Sequence, residues 1–202
     1  DWKAARHRLA FDELFLMQLA VLMRRRRWQE GVEGIPLVAD TALLTSFLDS
    51  LPFSLTRAQS TALQEILDDM RTSTSMSRLL QGDVGSGKTV VAAAALLVAT
   101  VNGYQGALMV PTEILADQHF ITFSRLFSGL SEDFHNDHVV SVRIEPLSRP
   151  LTIGLLLGSL PQRAKDDIHR RLAEGGVDIV IGTHALIQPP VEIPRLALVV
   201  VD

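Results

Sequence analysis

Through the second half of the chain, short unbroken apolar runs alternate with segments whose apolar residues recur every three or four positions. The runs at 107–110, 153–157, 178–181 and 197–201 predict strands, and Leu79 and Leu80 predict the end of a further buried strand. The apolar, alanine-rich stretch 90–99 predicts a buried helix. Ala116, Phe120, Phe123 and Phe127 predict another, capped by Thr112, and a third runs to Ala173, where Gly175 and Gly176 stop it. Ser159 and Gln162 have the spacing of a capping box for that third helix, with Pro161 in its first turn. Continuous apolar strands alternating with helices imply an α/β fold, a mostly parallel sheet with helices on both faces. The polar stretch 128–150 interrupts the alternation and predicts an extended loop with one strand at 139–142.

The beginning of the chain reads differently. Phe11, Leu14, Phe15, Leu19, Leu22 and Met23 recur at helical spacing within one long helix over residues 1–30. A linker at 31–36 separates it from a short helix with Asp40 as cap and Leu43, Leu44, Phe47, Leu48 and Leu51 on one side, ended by Pro52. Thr56 and Gln59 then form a T-x-x-Q capping box that opens a helix through Ala62, Leu63, Ile66, Leu67 and Met70.

Composition narrows the class. The chain of 202 residues, 47% apolar, has material for one large domain or for one domain with an appendage. It has no cysteine, which excludes disulfides and argues against a zinc finger. No apolar run of about 18 residues occurs and no signal-peptide pattern opens the chain, so no membrane span is expected and the expected location is cytoplasmic. The net charge of −4 is unevenly spread: residues 1–31 carry seven Lys/Arg against four Asp/Glu, and the remainder twelve against nineteen. Any nucleic-acid contact must therefore be local. The arginine block at 24–27 has two readings, cations suited to the negative end of a helix dipole or a patch for phosphates.

The chemistry concentrates at Gly82-Asp83-Val84-Gly85-Ser86-Gly87-Lys88-Thr89, a complete G-x-x-x-x-G-K-[ST] phosphate loop placed between an apolar strand end and an apolar helix. The glycines let the backbone curl so that its N–H groups face a polyphosphate, and the helix N-terminus adds to the attraction. Lys88 supplies a point charge to the β- and γ-phosphates, and the Thr89 hydroxyl suits Mg²⁺. Asp202 ends an apolar strand downstream of such a loop, where a carboxylate holds Mg²⁺ through its water shell; it is also simply the residue after a strand.

The remaining polar clusters, Pro111-Thr112-Glu113, Gly158-Ser159 and Gly182-Thr183-His184, also follow predicted strands. That is the end where ligands gather on such sheets. Small residues and helix N-termini there can present N–H groups to phosphates; they can equally serve as turns and caps. The amide of Gln59 either completes its capping box or pairs with N6 and N7 of adenine, with Phe53 available to pack on the base. His184 also reads as a hydrogen-bonded structural histidine.

Together these motifs resemble the RecA-type helicase core, and specifically the RecG branch-migrating DNA helicases. The resemblance runs from about Phe11 to Asp202. It is densest at 79–89, at Pro111-Thr112-Glu113-Ile114-Leu115-Ala116 with Gln118-His119, and at Gly182-Thr183-His184-Ala185-Leu186-Ile187-Gln188. The transcription-repair coupling translocases have a similar loop and a similar Gly-Thr-His, but Glu113 after Pro-Thr and the residues after His184 look more like RecG. A phosphate-loop switch or assembly ATPase without nucleic acid would need neither cluster.

The resemblance implies an ATP- and Mg²⁺-dependent hydrolase that translocates on double-stranded DNA and branch-migrates forks and Holliday junctions in repair and recombination. It implies that Lys88 and Asp202 serve catalysis, that Phe53 and Gln59 read adenine, and that Pro111, Thr112, Glu113, Gly158, Ser159, Gly182, Thr183 and His184 line the DNA. It further implies a helical connector at 1–34 from a wedge domain and a first RecA-like lobe at 35–202. A catalytic glutamate and a second RecA-like lobe with its arginine fingers are expected beyond Asp202.

Overall fold

The computed structural model describes residues 2–31, 33–128, 138–144, 147 and 149–202. A long helix α1 (Trp2–Gly31) precedes α2 (Thr41–Asp49) and α3 (Arg57–Met70). After the phosphate loop come α4 (Lys88–Val101), β1 (Gln105–Met109), α5 (Glu113–Ser128), β2 (Val139–Val142), β3 (Leu151–Leu156), α6 (Gln162–Ala173), β4 (Ile179–Gly182) and β5 (Leu196–Val201). The strands form one sheet in the order β2-β3-β4-β1-β5. Among the described strands β2 alone runs antiparallel, paired with β3; the register elsewhere is parallel, with Leu108 opposite both Ile181 and Val200.

The crossovers β1-α5-β3 and β3-α6-β4 run in opposite directions across this order. Parallel crossovers are right-handed, so α5 and α6 cover opposite faces. Helix α4 contacts β1, β5 and α5, and its Ala93, Ala94, Leu96, Leu97 and Ala99 are all fully buried. Small side chains let α4 lie close to the sheet: a Cβ on Gly106 of β1 would run into the Leu96 side chain. Asp178, 2% exposed, closes the lower end of the central strands. It accepts two hydrogen bonds from the Arg149 guanidinium and one from the Thr152 N–H.

The caps of α2, α3 and α5 are those the sequence predicts. The Asp40 carboxylate accepts from the N–H groups of Ala42 and Leu43, the Thr56–Gln59 capping box is complete, and Thr112 Oγ1 accepts from the Leu115 N–H. The cap of α6 differs. That helix begins at Gln162 with Pro161 as cap residue and no side-chain cap, so Ser159 and Gln162 form no box. The Ser159 N–H is instead taken by the Glu113 carboxylate at 2.9 Å, which holds Ser159 outside the helix.

Leu79 and Leu80 are not in a strand either. They belong to an irregular segment leading into the phosphate loop, and Leu79 is 86% exposed. Among the described residues the neighbouring edge, β5, makes its ladder with β1 alone, and no strand pairs with residues 79–80. A buried strand needs that ladder to satisfy its backbone groups. The segment is held from the side instead, by Arg78, which donates to Asp69 at 2.8 Å and to Glu65 at 2.6 Å on α3.

Helix α1 spans the predicted stretch, yet Phe11, Leu14, Phe15, Leu19, Leu22 and Met23 are all exposed. Arg24, Arg26 and Arg27 are exposed too. The helix continues past this block to Gly31, so the arginines lie outside the last turn, where a cation meets the dipole most strongly. Half of the polar stretch 131–150 lies outside the described residues; its strand at Val139–Val142 is formed. Among the described residues no helix is long and apolar enough to cross a membrane.

Candidate functional site

Gly85 and Gly87 carry φ of 79° and 77°, a left-handed conformation that side-chain-bearing residues rarely adopt. Gly82 differs: a Cβ there would come within 2.7 Å of Ser86 Oγ, a hydroxyl that can turn away. The curl is closed by the Ser86 N–H donating to the Asp83 carbonyl at 3.1 Å, and Val84 stands fully exposed at its tip. Lys88, the first residue of α4, folds back over the loop. Its Nζ donates to the carbonyls of Gly82 at 2.8 Å and Asp83 at 3.0 Å. The ammonium thus lies across the concavity where phosphate oxygens would lie.

The loop opens on a cleft of about 650 Å³, walled on one side by Gly85, Gly87, Lys88 and Thr89 and on the other by β5 with Asp202 at its end. Met76, Arg78, Leu79, Leu80, Leu115 and His119 are also among the lining residues. A hydroxyl, a carboxylate and an ammonium therefore converge on one space, which is the donor set a hard divalent cation and a polyphosphate require. Among the described residues no group of three or more His, Cys, Asp or Glu gathers to cage a metal. Mg²⁺ accepts that, since it commonly uses one or two protein oxygens together with waters and phosphates.

Gln59 reaches this loop from outside. Its Oε1 accepts the Thr56 N–H at 2.8 Å in the capping box, and its Nε2 donates to the Ser86 carbonyl at 2.8 Å. Both ends of the amide are engaged, and the side chain lies so close to Gly87 that a Cβ there would overlap it. Phe53 is 47% exposed and is not part of the cleft wall.

The second group of expected site residues divides. Pro111, Thr112, Gly158, Ser159 and His184 are exposed at the carboxyl ends of β1, β3 and β4. Gly182 and Thr183 are buried, Thr183 at 2% exposure with its hydroxyl accepting from the Ala185 N–H. A Cβ on Gly182 would collide with the Leu156 carbonyl of β3. These two residues shape the turn after β4 and present no side chain to a ligand. Glu113 points sideways: its carboxylate bridges to Ser159, and Lys165 donates to the Gly158 carbonyl beside it. Hydrogen bonds from Ser159, with Lys165 nearby, hold the Glu113 carboxyl below its ordinary pKa. Glu113 thus joins two of the expected clusters into one edge.

Sequence reasoning assigns no role to two further residues of the site, although His119 is among those that carry the family resemblance. Arg78 anchors the loop's entry, and the carboxylates of Asp69 and Glu65 hold its pKa above the ordinary guanidinium value. His119 lies in α5, and its Nε2 lies 2.9 Å from Asp202 Oδ2. Its spacing from Phe123, four residues, looks like part of a core stripe, and only the fold brings it to the cleft.

Residues 56–202 match the family model described as DEAD/DEAH box helicase. The chain is 43% identical over its whole length to the ATP-dependent DNA helicase RecG of Streptococcus pneumoniae serotype 4, of which it covers 27%. It is 44% identical, over 99% of its length, to RecG of Bacillus subtilis, of which it covers 26%. A solved structure of RecG bound to a three-way DNA junction superimposes on 96% of the chain with a TM-score of 0.80 at 44% identity, the match covering 24% of that protein. The chain thus spans about a quarter of the length of the relatives it matches. The matched family model covers the capping box of Gln59, the phosphate loop and the strand end at Asp202: the chain belongs to the DEAD/DEAH box helicase family, in company with the RecG helicases.

Proposed function

We propose that this chain is the ATP-binding lobe of a double-stranded DNA translocase that branch-migrates forks and Holliday junctions in DNA repair and recombination. The observation that carries the reading is one cleft shared by Lys88, Thr89 and Asp202, next to an edge where Glu113 binds the turn after β3 to the start of α5. Similarity to RecG along nearly the whole chain supports it.

In this reading the N–H groups of the loop at 82–88 take the β- and γ-phosphates. Lys88 leaves the carbonyls of Gly82 and Asp83, which are acceptors it already holds, for the more negative phosphate oxygens. Thr89 and Asp202 would hold Mg²⁺, which when bound neutralises charge on the β- and γ-oxygens. Gln59 reads adenine once its amide turns from Ser86. The DNA edge consists of Thr112, Ser159 and His184 with the helix N-terminus of α5. Such contacts grip phosphates without reading bases, as a translocase requires.

The test is ATP hydrolysis by the protein carrying this chain, with forked DNA, linear duplex or no DNA. Stimulation by forked DNA is expected, with Lys88→Ala abolishing turnover. Equal rates with and without DNA would indicate a switch or assembly ATPase instead.

A further inference from the structure

The carboxylate of Asp202 is 48% exposed, and the Asp202 N–H donates to the Met109 carbonyl at 2.9 Å. A half-exposed carboxylate on that backbone could take several rotamers, of which few suit a metal's water shell. One group selects among them. His119 Nε2 lies 2.9 Å from Asp202 Oδ2, and an ionised carboxylate only accepts, so the imidazole is the donor.

His119 is itself well held. Its side chain is 14% exposed, and its ring meets the edge of Phe123 with centroids 6.4 Å apart. Phe123 is fully buried and packs on Phe127, which packs on Phe47. The imidazole therefore stands on the core while the carboxylate stands at the cleft.

We propose that His119 is a positioning residue that orients the Asp202 carboxylate toward the cation bound with nucleotide. The proposal rests on the reading of Asp202 as a Mg²⁺ group. Hydrogen-bonding partners of metal-binding groups fix orientation, and their loss commonly costs about 10–100-fold in metal affinity or activity. The same helix begins at Glu113, so α5 connects the proposed DNA edge to the cation's carboxylate over about 9 Å of helix.

The experiment measures affinity of the 202-residue chain for a fluorescent ADP analogue in Mg²⁺ and in EDTA, and Mn²⁺ binding to the chain with ADP by electron paramagnetic resonance. His119→Phe keeps the ring against Phe123 and removes the donor. It is expected to lose roughly tenfold of the Mg²⁺-dependent gain in ADP affinity while leaving the EDTA affinity unchanged. His119→Gln, whose amide can donate to Asp202, is expected to recover most of the gain. Asp202→Asn is expected to lose it. A His119→Phe chain with the native Mg²⁺ response, beside an Asp202→Asn chain that has lost it, overturns the positioning role. An Asp202→Asn chain with the native response overturns the assignment of the cation site itself.

Discussion

The Gln59 amide donates to the Ser86 carbonyl at 2.8 Å while its oxygen accepts the Thr56 N–H at 2.8 Å, so one side chain caps α3 and restrains the phosphate loop. Cap and loop contact use opposite ends of the amide. Adenine, which needs one donor and one acceptor from such an amide, would compete with both. A Gln59 that reads adenine, as proposed, must exchange contacts within the lobe for contacts to the base.

Gln59→Ala is therefore expected to do two things. Losing half of the capping box lowers stability by about 0.5–1 kcal/mol. Losing the base contact weakens ATP binding more than GTP binding. A melting curve with paired nucleotide affinities checks both. A fall in stability with an unchanged ATP-to-GTP ratio would leave Gln59 with the cap alone.

Lys88→Ala is expected to leave the fold intact and remove nucleotide binding in Mg²⁺. The ammonium's partners are carbonyls of the exposed loop and not core groups, so stability should shift by no more than about 0.5 kcal/mol. Melting temperature and binding of a fluorescent ADP analogue, measured on the same preparation, separate the two effects.

Arg78→Ala is expected to loosen the entry to the phosphate loop. With no strand pairing at residues 79–80, the ion pairs to Glu65 and Asp69 are the described side-chain ties from that segment to α3. Amide hydrogen exchange across residues 78–87 should accelerate in the variant, with protection in α4 unchanged. Unchanged exchange in the loop would show that the pairs are dispensable surface contacts.

Where local rules act alone, the sequence is a good guide. Asp40, Thr56 and Thr112 cap helices because nothing else competes for their oxygens, and the apolar runs become strands because each finds a neighbour. The readings that fail do so through contacts distant in sequence. Ser159 is drawn from its capping role by Glu113, 46 residues away, and Leu79 lacks a neighbouring strand. His119 reaches Asp202 across 83 residues, a proximity no local pattern encodes. The phosphate loop was legible because its function depends on contiguous backbone geometry. The proposed DNA edge was legible only as a location, since the buried Thr183 and the exposed Thr112 look alike in sequence.

Glu113 makes stability depend on acid pH. Its folded pKa is lowered by the hydrogen bonds from Ser159 and by Lys165, so the unfolded chain binds the proton more readily. The contribution is present above the ordinary glutamate range and is lost as pH falls through the lowered folded value. Glu113→Gln removes this proton linkage. The native chain should therefore lose melting temperature more steeply than the variant below about pH 4.5. Parallel pH profiles would sink the assignment.

The two glycines after β3 and β4 should behave oppositely. A Cβ on Gly182 meets the Leu156 carbonyl at a separation no relaxed structure tolerates, with Leu186 side-chain atoms at 3.1 and 3.3 Å beyond it. Backbone of a central strand must then shift, so Gly182→Ala is expected to destabilise by about 1–3 kcal/mol, as overpacking does. A Cβ on Gly158 meets only Glu113 Oε1, at 3.3 Å, and that is the end of a flexible side chain. Gly158→Ala should melt within about 0.5 kcal/mol of the native chain, as an exposed substitution does. Its effect should appear instead at the proposed DNA edge, because the Glu113 carboxylate that holds the Ser159 N–H must shift to make room. Binding of the 202-residue chain to forked DNA at two salt concentrations reads this out. Gly158→Ala is expected to change affinity while Gly182→Ala, at a temperature where it remains folded, leaves it closer to native. The reverse order would mean that the buried turn after β4, and not the edge joined by Glu113, meets the DNA.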